Sequence, residues 1–223
     1  MTIGYPIYIS GPHGTGKTTL HRQLIGETDM LNLRRGFDEI PANEPYLRVF
    51  LSSALHCNDL ITHRLLCRER SGLGDRCIID SIAYLQAFRA LDWVSSPAYD
   101  TLMSTIFGAM SLVRWPHHVI VLNVSVRRKR QLTGRSLLNP TVSLAVSNIR
   151  ERGLAKGWRQ ESLELNEALF ESYDFICAGG LDINISDWLM VRDTRDSSVI
   201  SGCVAYLQRV SSQRENGFEL LNI

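Results

Sequence analysis

The sequence predicts an α/β fold in which a parallel sheet lies between two layers of helices. Short apolar runs alternate with longer stretches of helical spacing along the 223 residues. This alternation is typical of parallel strands joined by crossover helices. The first run, IGYPIYIS at 3–10, is β-branched and ends at a glycine-rich turn that a helical stretch follows. The length predicts a single domain over residues 1–223, built on one core.

The elements are expected in a regular order along the chain. In the first half we expect a strand at 3–10, a helix from Lys17 to about Ile25, a short strand at 33–38, a helical stretch at 46–70, a buried strand CIID at 77–80 and a helix from about Ser81 to Leu91. In the second half we expect a helix from Ala98 to Leu112, the strand HHVIVLNVS at 117–125, a long helical region ending near Tyr173, the last strand LDINIS at 181–186 and a closing helix at 197–210.

Composition excludes several classes of protein. The chain is 44% hydrophobic and 21% charged, with a formal net charge of +1. This overall composition and charge do not favour binding to nucleic acid or to a membrane. Its five cysteines include no CxxC pair, which argues against a disulfide framework and favours a reducing, cytoplasmic location. The apolar start is too short to span a bilayer, and no membrane partner is expected.

A phosphate-binding loop follows the first predicted strand. Residues 11–18, GPHGTGKT, fit GxxxxGK[ST] and directly precede a predicted helix, which is the context that this pattern requires. Glycines let successive amides point at phosphate oxygens, and the helix N-terminus adds positive charge. Lys17 is expected to reach the β- and γ-phosphates of ATP, and Thr18 to hold Mg²⁺. The predicted ATP-binding residues are Gly11, His13, Gly14, Thr15, Gly16, Lys17, Thr18 and Thr19.

The loop predicts a P-loop NTPase fold but does not by itself separate kinases from other NTPases. No NKxD motif is visible, which argues against a GTPase. RGFDEI at 35–40 and CIIDS at 77–81 have apolar runs too short for a typical Walker B strand, although either could hold magnesium through water. Phosphoryl transfer also needs cations that close on the moving group and an acceptor oriented in line with it.

Three further segments carry a family resemblance. Residues 75–86, DRCIIDSIAYLQ, resemble the segment of thymidylate kinases in which an Asp-Arg pair precedes a serine and an Ala-Tyr pair; related deoxynucleoside kinases have Glu-Arg-Ser there. RRKRQLTGR at 127–135 follows an apolar strand and resembles the arginine-rich lid of those enzymes. Asp38 and Glu39 lie about twenty residues after Lys17, where deoxynucleoside kinases keep the carboxylate that receives the proton of the sugar hydroxyl. The resemblance implies a nucleoside or nucleotide kinase.

The resemblance also implies catalytic roles. Asp38 or Glu39 is the base, with Glu44 as a third candidate. Asp75 joins Thr18 at the metal, and Arg76 contacts either an acceptor phosphate or the transferred one. The lid around 127–140 supplies cations from Arg127, Arg128, Arg130 and Arg135, of which Arg128 and Arg135 are assigned to catalysis.

The acceptor is left open by the sequence. Cys77 stands where thymidylate kinases have a tyrosine. Tyr46, Arg48 and Phe50 lie near the expected acceptor segment, and Arg68 and Arg70 could bind a monophosphate or simply be exposed. His13, His117 and His118 are expected to be non-catalytic.

The alternatives cover different acceptors and one different class of protein. A hydroxymethylated pyrimidine base within DNA is an alternative acceptor, as for phage kinases. The alternative from a different class of protein is a non-kinase ATPase or a nucleotide switch that acts on a protein partner. A homodimer is also left open.

Overall fold

The computed structural model describes residues 4–36, 44–122, 163–191 and 197–212. The described part alternates strands and helices, as expected. In chain order its elements are β1 (Pro6–Ser10), α1 (Lys17–Glu27), β2 (Leu31–Leu33), α2 (Pro45–Leu66), β3 (Gly72–Asp75), α3 (Ile78–Ala90), α4 (Ser96–Val113), β4 (His118–Leu122), α5 (Leu163–Cys177), β5 (Asp187–Val191) and α6 (Ser197–Ser212).

The five strands form one sheet in the order β2-β3-β1-β4-β5, and every pair is parallel. β1 is central and each of its residues is buried. Ile9 lies opposite Asp75 of β3 and Ile120 of β4, so the carboxyl ends of these three strands meet at one edge of the sheet. In open parallel sheets that edge is where ligands bind.

Helices cover both faces of the sheet because the side chains of a strand alternate between its faces. Tyr8 packs into a core with Ile79 of α3 and Leu169 of α5. Ile7 and Ile9 point the other way, into a core that includes Leu20 and Leu24 of α1 together with Tyr206 and Leu207 of α6. The predicted three-layer α/β/α architecture is therefore confirmed.

The predicted strand CIID at 77–80 is wrong. Cys77 is the N-cap of α3, and the third strand is Gly72–Asp75. Nine residues of α3 are buried, so the helix is apolar on most sides and shows no helical period in its sequence. The true strand, GLGD, is glycine-rich because neighbouring side chains cover it. A Cβ on Gly72 would lie 2.7 Å from Leu33, and one on Gly74 would lie 2.9 Å from Tyr8.

The predicted last strand, LDINIS at 181–186, is also wrong. The strand is β5, DWLMV, which pairs with β4 from the register His118–Asp187 onward. Within 181–186 the backbone makes two successive three-residue turns, in which Ile183 N donates to Leu181 O and Ile185 N to Ile183 O. The three apolar residues of these turns still pack against the core. Their alternation imitates the period of a half-buried strand.

Two features of the structure relate to the expectations of no disulfide framework and no membrane partner. All five cysteines are free thiols. Among the described helices, none has the length and apolar character needed to cross a membrane.

Candidate functional site

The predicted phosphate loop joins β1 to α1 at the carboxyl edge of the sheet. All three of its glycines have positive φ angles, of 146° at Gly11, 72° at Gly14 and 88° at Gly16. Gly16 is the N-cap of α1. A Cβ on Gly11 would lie 2.6 Å from the carbonyl oxygen of Leu122 at the end of β4. Glycine is therefore required both by the turn and by the close approach of β4.

Lys17 lies inside this loop. The side chain is buried, and Nζ donates hydrogen bonds to the carbonyl oxygens of Gly11 at 2.8 Å and Pro12 at 2.6 Å. The Thr15 hydroxyl donates to the same Pro12 carbonyl at 2.9 Å. These bonds hold a positive charge at the N-terminus of α1, where the helix dipole also favours an anion.

Thr18 and Asp75 are brought together by the pairing of β1 with β3. The Thr18 hydroxyl donates to Asp75 Oδ2 at 3.3 Å. Asp75 Oδ1 is buried, and no group in the described part of the chain forms a hydrogen bond with it. A hydroxyl and a carboxylate oxygen are the ligands that Mg²⁺ prefers, and the ion usually takes only one or two carboxylates beside phosphate and water. This pair fits a magnesium site, although the described residues contain no cluster of three metal-ligating side chains.

Arg76 follows Asp75 in an unusual backbone conformation. Its φ is 71°, in the left-handed region that non-glycine residues rarely occupy. Its backbone N–H donates to Ile9 O at 2.8 Å, which continues the pairing of β1 and β3 one residue beyond the strand. This bond keeps the residue at the edge of the sheet, beside the phosphate loop. Strained residues of this kind concentrate at functional sites.

Asp80 is a buried carboxylate that the sequence interpretation did not place correctly. Its side chain accepts hydrogen bonds from the Ser10 hydroxyl at 2.7 Å, the Cys77 backbone N–H at 3.0 Å and the Tyr173 hydroxyl at 2.8 Å. Both oxygens are thus engaged by protein donors, and the interpretation of CIIDS as a magnesium-holding strand end is not supported. Burial, with a further contribution from Asp80, raises the pKa of the Cys77 thiol to about 12. The thiol therefore stays protonated.

A polar chain joins α2 to α3 behind this edge. The hydroxyls of Ser52 and Ser81 are 2.9 Å apart, and His56 Nδ1 lies 2.9 Å from the Ser81 hydroxyl. Burial lowers the pKa of His56 to about 4, and the opposing effect of Asp80 is smaller. His56 is therefore neutral at neutral pH. The spacing of one helical turn between Ser52 and His56 is the only sequence feature that places both side chains on the same side of α2.

Several predicted residues lie elsewhere. Arg70 forms an ion pair of 3.0 Å with Asp29, and Arg68 is exposed. Both arginines precede β3 and therefore lie at the edge of the sheet opposite the phosphate loop. His117 and His118 lie at that same edge, where β4 begins. The interpretation of the two arginines as contacts to an acceptor phosphate is therefore not supported.

Two of the three candidate bases and the predicted lid lie beyond the described part of the chain. Asp38, Glu39 and the lid around 127–140, with Arg127, Arg128, Arg130 and Arg135, lie outside the described residues. Glu44, the third candidate base, is exposed at the N-cap of α2. Tyr46 and Phe50 are about half exposed on the first turns of the same helix, at 52% and 46%.

Comparison with known proteins identifies the fold. No protein-family model matches the sequence, and no curated protein does so either. Among solved structures, the chain is similar to deoxyadenosine kinase from M. mycoides with bound dATP, with 19% identity and a TM-score of 0.65 over 92% of this chain and 99% of that one. The same kinase with dCMP and a flexible dCDP matches at 17% identity and a TM-score of 0.56, over 92% and 99% of the two chains.

A third structure of this kinase, with dCTP bound, matches at 17% identity and a TM-score of 0.55 over 92% of this chain and 98% of that one. The similarity thus extends over almost the full length of both proteins, although few residues are shared. The chain therefore shares the three-layer α/β/α fold of these deoxyadenosine kinase structures.

Proposed function

We propose that this protein is an ATP-dependent kinase that transfers the γ-phosphoryl group of ATP to a hydroxyl group of a nucleoside. The observation that carries the proposal is the meeting of Lys17, Thr18 and Asp75 at the carboxyl edge of a sheet whose fold is shared with deoxyadenosine kinases. In the transfer, the acceptor oxygen forms a bond to the γ-phosphorus and the bond to the bridging oxygen breaks. ADP leaves, and the acceptor hydroxyl loses its proton to a base.

The described geometry supports the donor half of the proposed site. In this proposal the amides of Gly11 to Gly16 and the N-terminus of α1 bind the phosphates. Lys17 supplies a cation at the same loop, and its bonds to Gly11 and Pro12 keep that cation in position. Arg76 lies at the edge where β1 and β3 end, so we assign it to the transferred phosphoryl group or to the acceptor.

Thr18 and Asp75 are the residues that would hold magnesium. A magnesium ion bound with ATP neutralises charge on the β- and γ-phosphates. Asp75 offers the buried oxygen that has no hydrogen-bond partner in the described residues, and Thr18 offers its hydroxyl oxygen. The contact between the two side chains holds both oxygens at the mouth of the loop.

The remaining roles are assigned from the sequence resemblance. Asp38 or Glu39 receives the proton of the acceptor hydroxyl. Arg128 and Arg135, from the lid around 127–140, neutralise charge on the moving phosphoryl group. The five free thiols support a reducing compartment such as the cytoplasm.

The experiment that tests the proposal is a transfer assay with labelled ATP against a panel of acceptors. The panel contains the deoxynucleosides and ribonucleosides, their monophosphates, and DNA with hydroxymethylated pyrimidines. Label on a nucleoside supports the proposal. Label on a monophosphate instead would indicate a thymidylate kinase-like acceptor site, and label on DNA would indicate the phage type of kinase. ATP hydrolysis without any acceptor, and no transfer, would indicate an ATPase or switch.

Lys17→Ala links the activity to the phosphate loop. Loss of this cation should lower transfer by on the order of 10²-fold or more with the fold retained. Arg22→Ala is the matched control, because Arg22 is an exposed cation on the same helix. Full activity of the Lys17 variant would overturn the assignment of the loop.

A further inference from the structure

Helix α3 contacts the last residue of β1 and the phosphate loop that follows it. Asp80 and Tyr84 are four residues apart and therefore lie on one side of the helix. The Ser10 hydroxyl, directly before Gly11, donates to Asp80 at 2.7 Å. The Tyr84 hydroxyl contacts Nε2 of His13, the third residue of the loop, and the two rings meet edge to face with centroids 5.3 Å apart. The loop is thus held before its first glycine and again within it.

Asp80 also holds the segment that carries Asp75 and Arg76. The carboxylate oxygen that accepts from Ser10 accepts the backbone N–H of Cys77 as well, at 3.0 Å. Cys77 directly follows Arg76, whose φ of 71° needs support from its surroundings. The other oxygen accepts from Tyr173 of α5 at 2.8 Å. One side chain therefore connects β1, the start of α3 and α5.

The chemistry of Asp80 argues for a specific role. The residue is only 1% exposed, and burying a carboxylate is costly unless donors surround it. Three donors do so, and two of them belong to segments that border the candidate site. A carboxylate that served packing alone could be replaced by an apolar side chain at lower cost.

We propose that Asp80 and Tyr84 are positioning residues that hold the phosphate loop in register with Asp75 and Arg76. Asp80 acts through Ser10 and Cys77, and Tyr84 acts through His13. The consequence for phosphoryl transfer rests on the proposed function, but the effect on the loop itself does not. The two can therefore be tested separately.

Hydrogen–deuterium exchange of the whole protein tests the effect on the loop. Tyr84→Phe removes one hydroxyl and keeps the ring that packs against Phe88. We expect the amides of residues 11–16 to exchange roughly 2- to 10-fold faster, the range that corresponds to one hydrogen bond. The melting temperature and the exchange of β4 and α6 should stay unchanged.

Tyr206→Phe is the matched control, because the Tyr206 hydroxyl also donates one hydrogen bond, to Asp187 O at the opposite edge of the sheet. Unchanged loop exchange in Tyr84→Phe would overturn the role of Tyr84. So would an equal acceleration in all segments, since that result would indicate only general destabilisation.

A double-variant comparison tests Asp80. Asp80→Asn keeps the shape of the side chain, and Ser10→Ala removes the donor from β1. If Asp80 acts on the loop through Ser10, the amides of residues 11–16 should exchange no faster in the double variant than in the faster-exchanging single variant. If the fold-increases in exchange of the two single variants multiply in the double variant, the proposed role of Asp80 is overturned.

Nucleotide-binding measurements on these variants, together with the transfer assay of the unmodified protein, separate the two proposals. With the loop loosened, the affinity for ATP and magnesium, measured by titration calorimetry, should fall roughly 2- to 10-fold in Tyr84→Phe and stay unchanged in Tyr206→Phe. Unchanged affinity beside faster loop exchange would overturn the link to nucleotide binding. If no acceptor is phosphorylated by the unmodified protein, the proposed function fails, and the exchange data still decide whether α3 holds the loop.

Discussion

The hydroxyl of Thr18 lies 3.3 Å from a carboxylate oxygen of Asp75, across 57 residues of sequence. The contact exists because β1 and β3 are neighbours in the sheet and Ile9 lies opposite Asp75. It joins the last residue of the GxxxxGK[ST] pattern to the Asp-Arg segment. The two motifs therefore form one site.

Replacing Asp75 tests the candidate metal site. Asp75→Asn keeps an oxygen that can accept from Thr18 but removes the negative charge. We expect kcat to fall by on the order of 10²-fold, and the magnesium concentration for half-maximal rate to rise. A magnesium titration of the transfer assay measures both. Asp92→Asn is the control, since Asp92 is exposed and paired with Arg89; equal behaviour of the two variants would contradict the metal assignment.

Replacing Gly11 tests the shape of the phosphate loop. In Gly11→Ala the new Cβ would lie 2.6 Å from Leu122 O at a φ of 146°. We expect a loss of roughly 1–3 kcal/mol in the free energy of unfolding together with loss of ATP binding. Urea denaturation and nucleotide titration measure the two effects.

Gly26→Ala is the control for that experiment. Gly26 lies in α1, and no atom of the described residues lies within 4 Å of its Cβ position. Because alanine is the better helix former, this variant should gain up to about 1 kcal/mol. A Gly11 variant as stable and as active as this control would show that the close approach of β4 does not constrain the loop.

Separate replacement of Asp38 and Glu39 identifies the base. Either Asp38→Asn or Glu39→Gln should lower kcat on the order of 10²-fold or more, as expected for a general base. The other variant should stay near full activity and serves as its control. If neither variant affects kcat, the base lies elsewhere or the acceptor is a phosphate that needs none.

Buried histidine makes folding depend on pH. Burial lowers the pKa of His56 from 6.5 to about 4, so between these values the unfolded chain binds a proton that the folded protein does not. The contribution of neutral His56 to the free energy of unfolding is fully present above about pH 6.5. It is lost as the pH drops toward 4, by at most about 1.4 kcal/mol per pH unit for one group. Urea denaturation at several pH values measures the slope.

His56→Gln should reduce that slope. His118, whose pKa is also lowered to about 4 by burial and by its neighbour His117, contributes in the same direction and remains in the variant. An identical slope in the variant and the unmodified protein would contradict the assignment to His56.

The local patterns predicted the layers and the phosphate loop well. Apolar β-branched runs predicted β1 and β4 because a strand covered on both faces has no polar side to present. The glycines and Lys17 predicted the loop because the backbone turn and the charge are required by residue type at fixed spacing. Patterns failed where burial erased them, as in α3, and where tight turns imitated a strand, as at 181–186.

Local sequence patterns were sufficient to predict the alternation of strands and helices, the loop that can bind phosphate and the order of the candidate motifs. The folded structure was needed to show that β3 is the glycine-rich GLGD, that Thr18 contacts Asp75, and that Asp80 connects Ser10, Cys77 and Tyr173. These features depend on contacts between residues far apart in the chain. Local propensity carries no record of such contacts, since strand order and the packing of helices on the sheet bring the partners together.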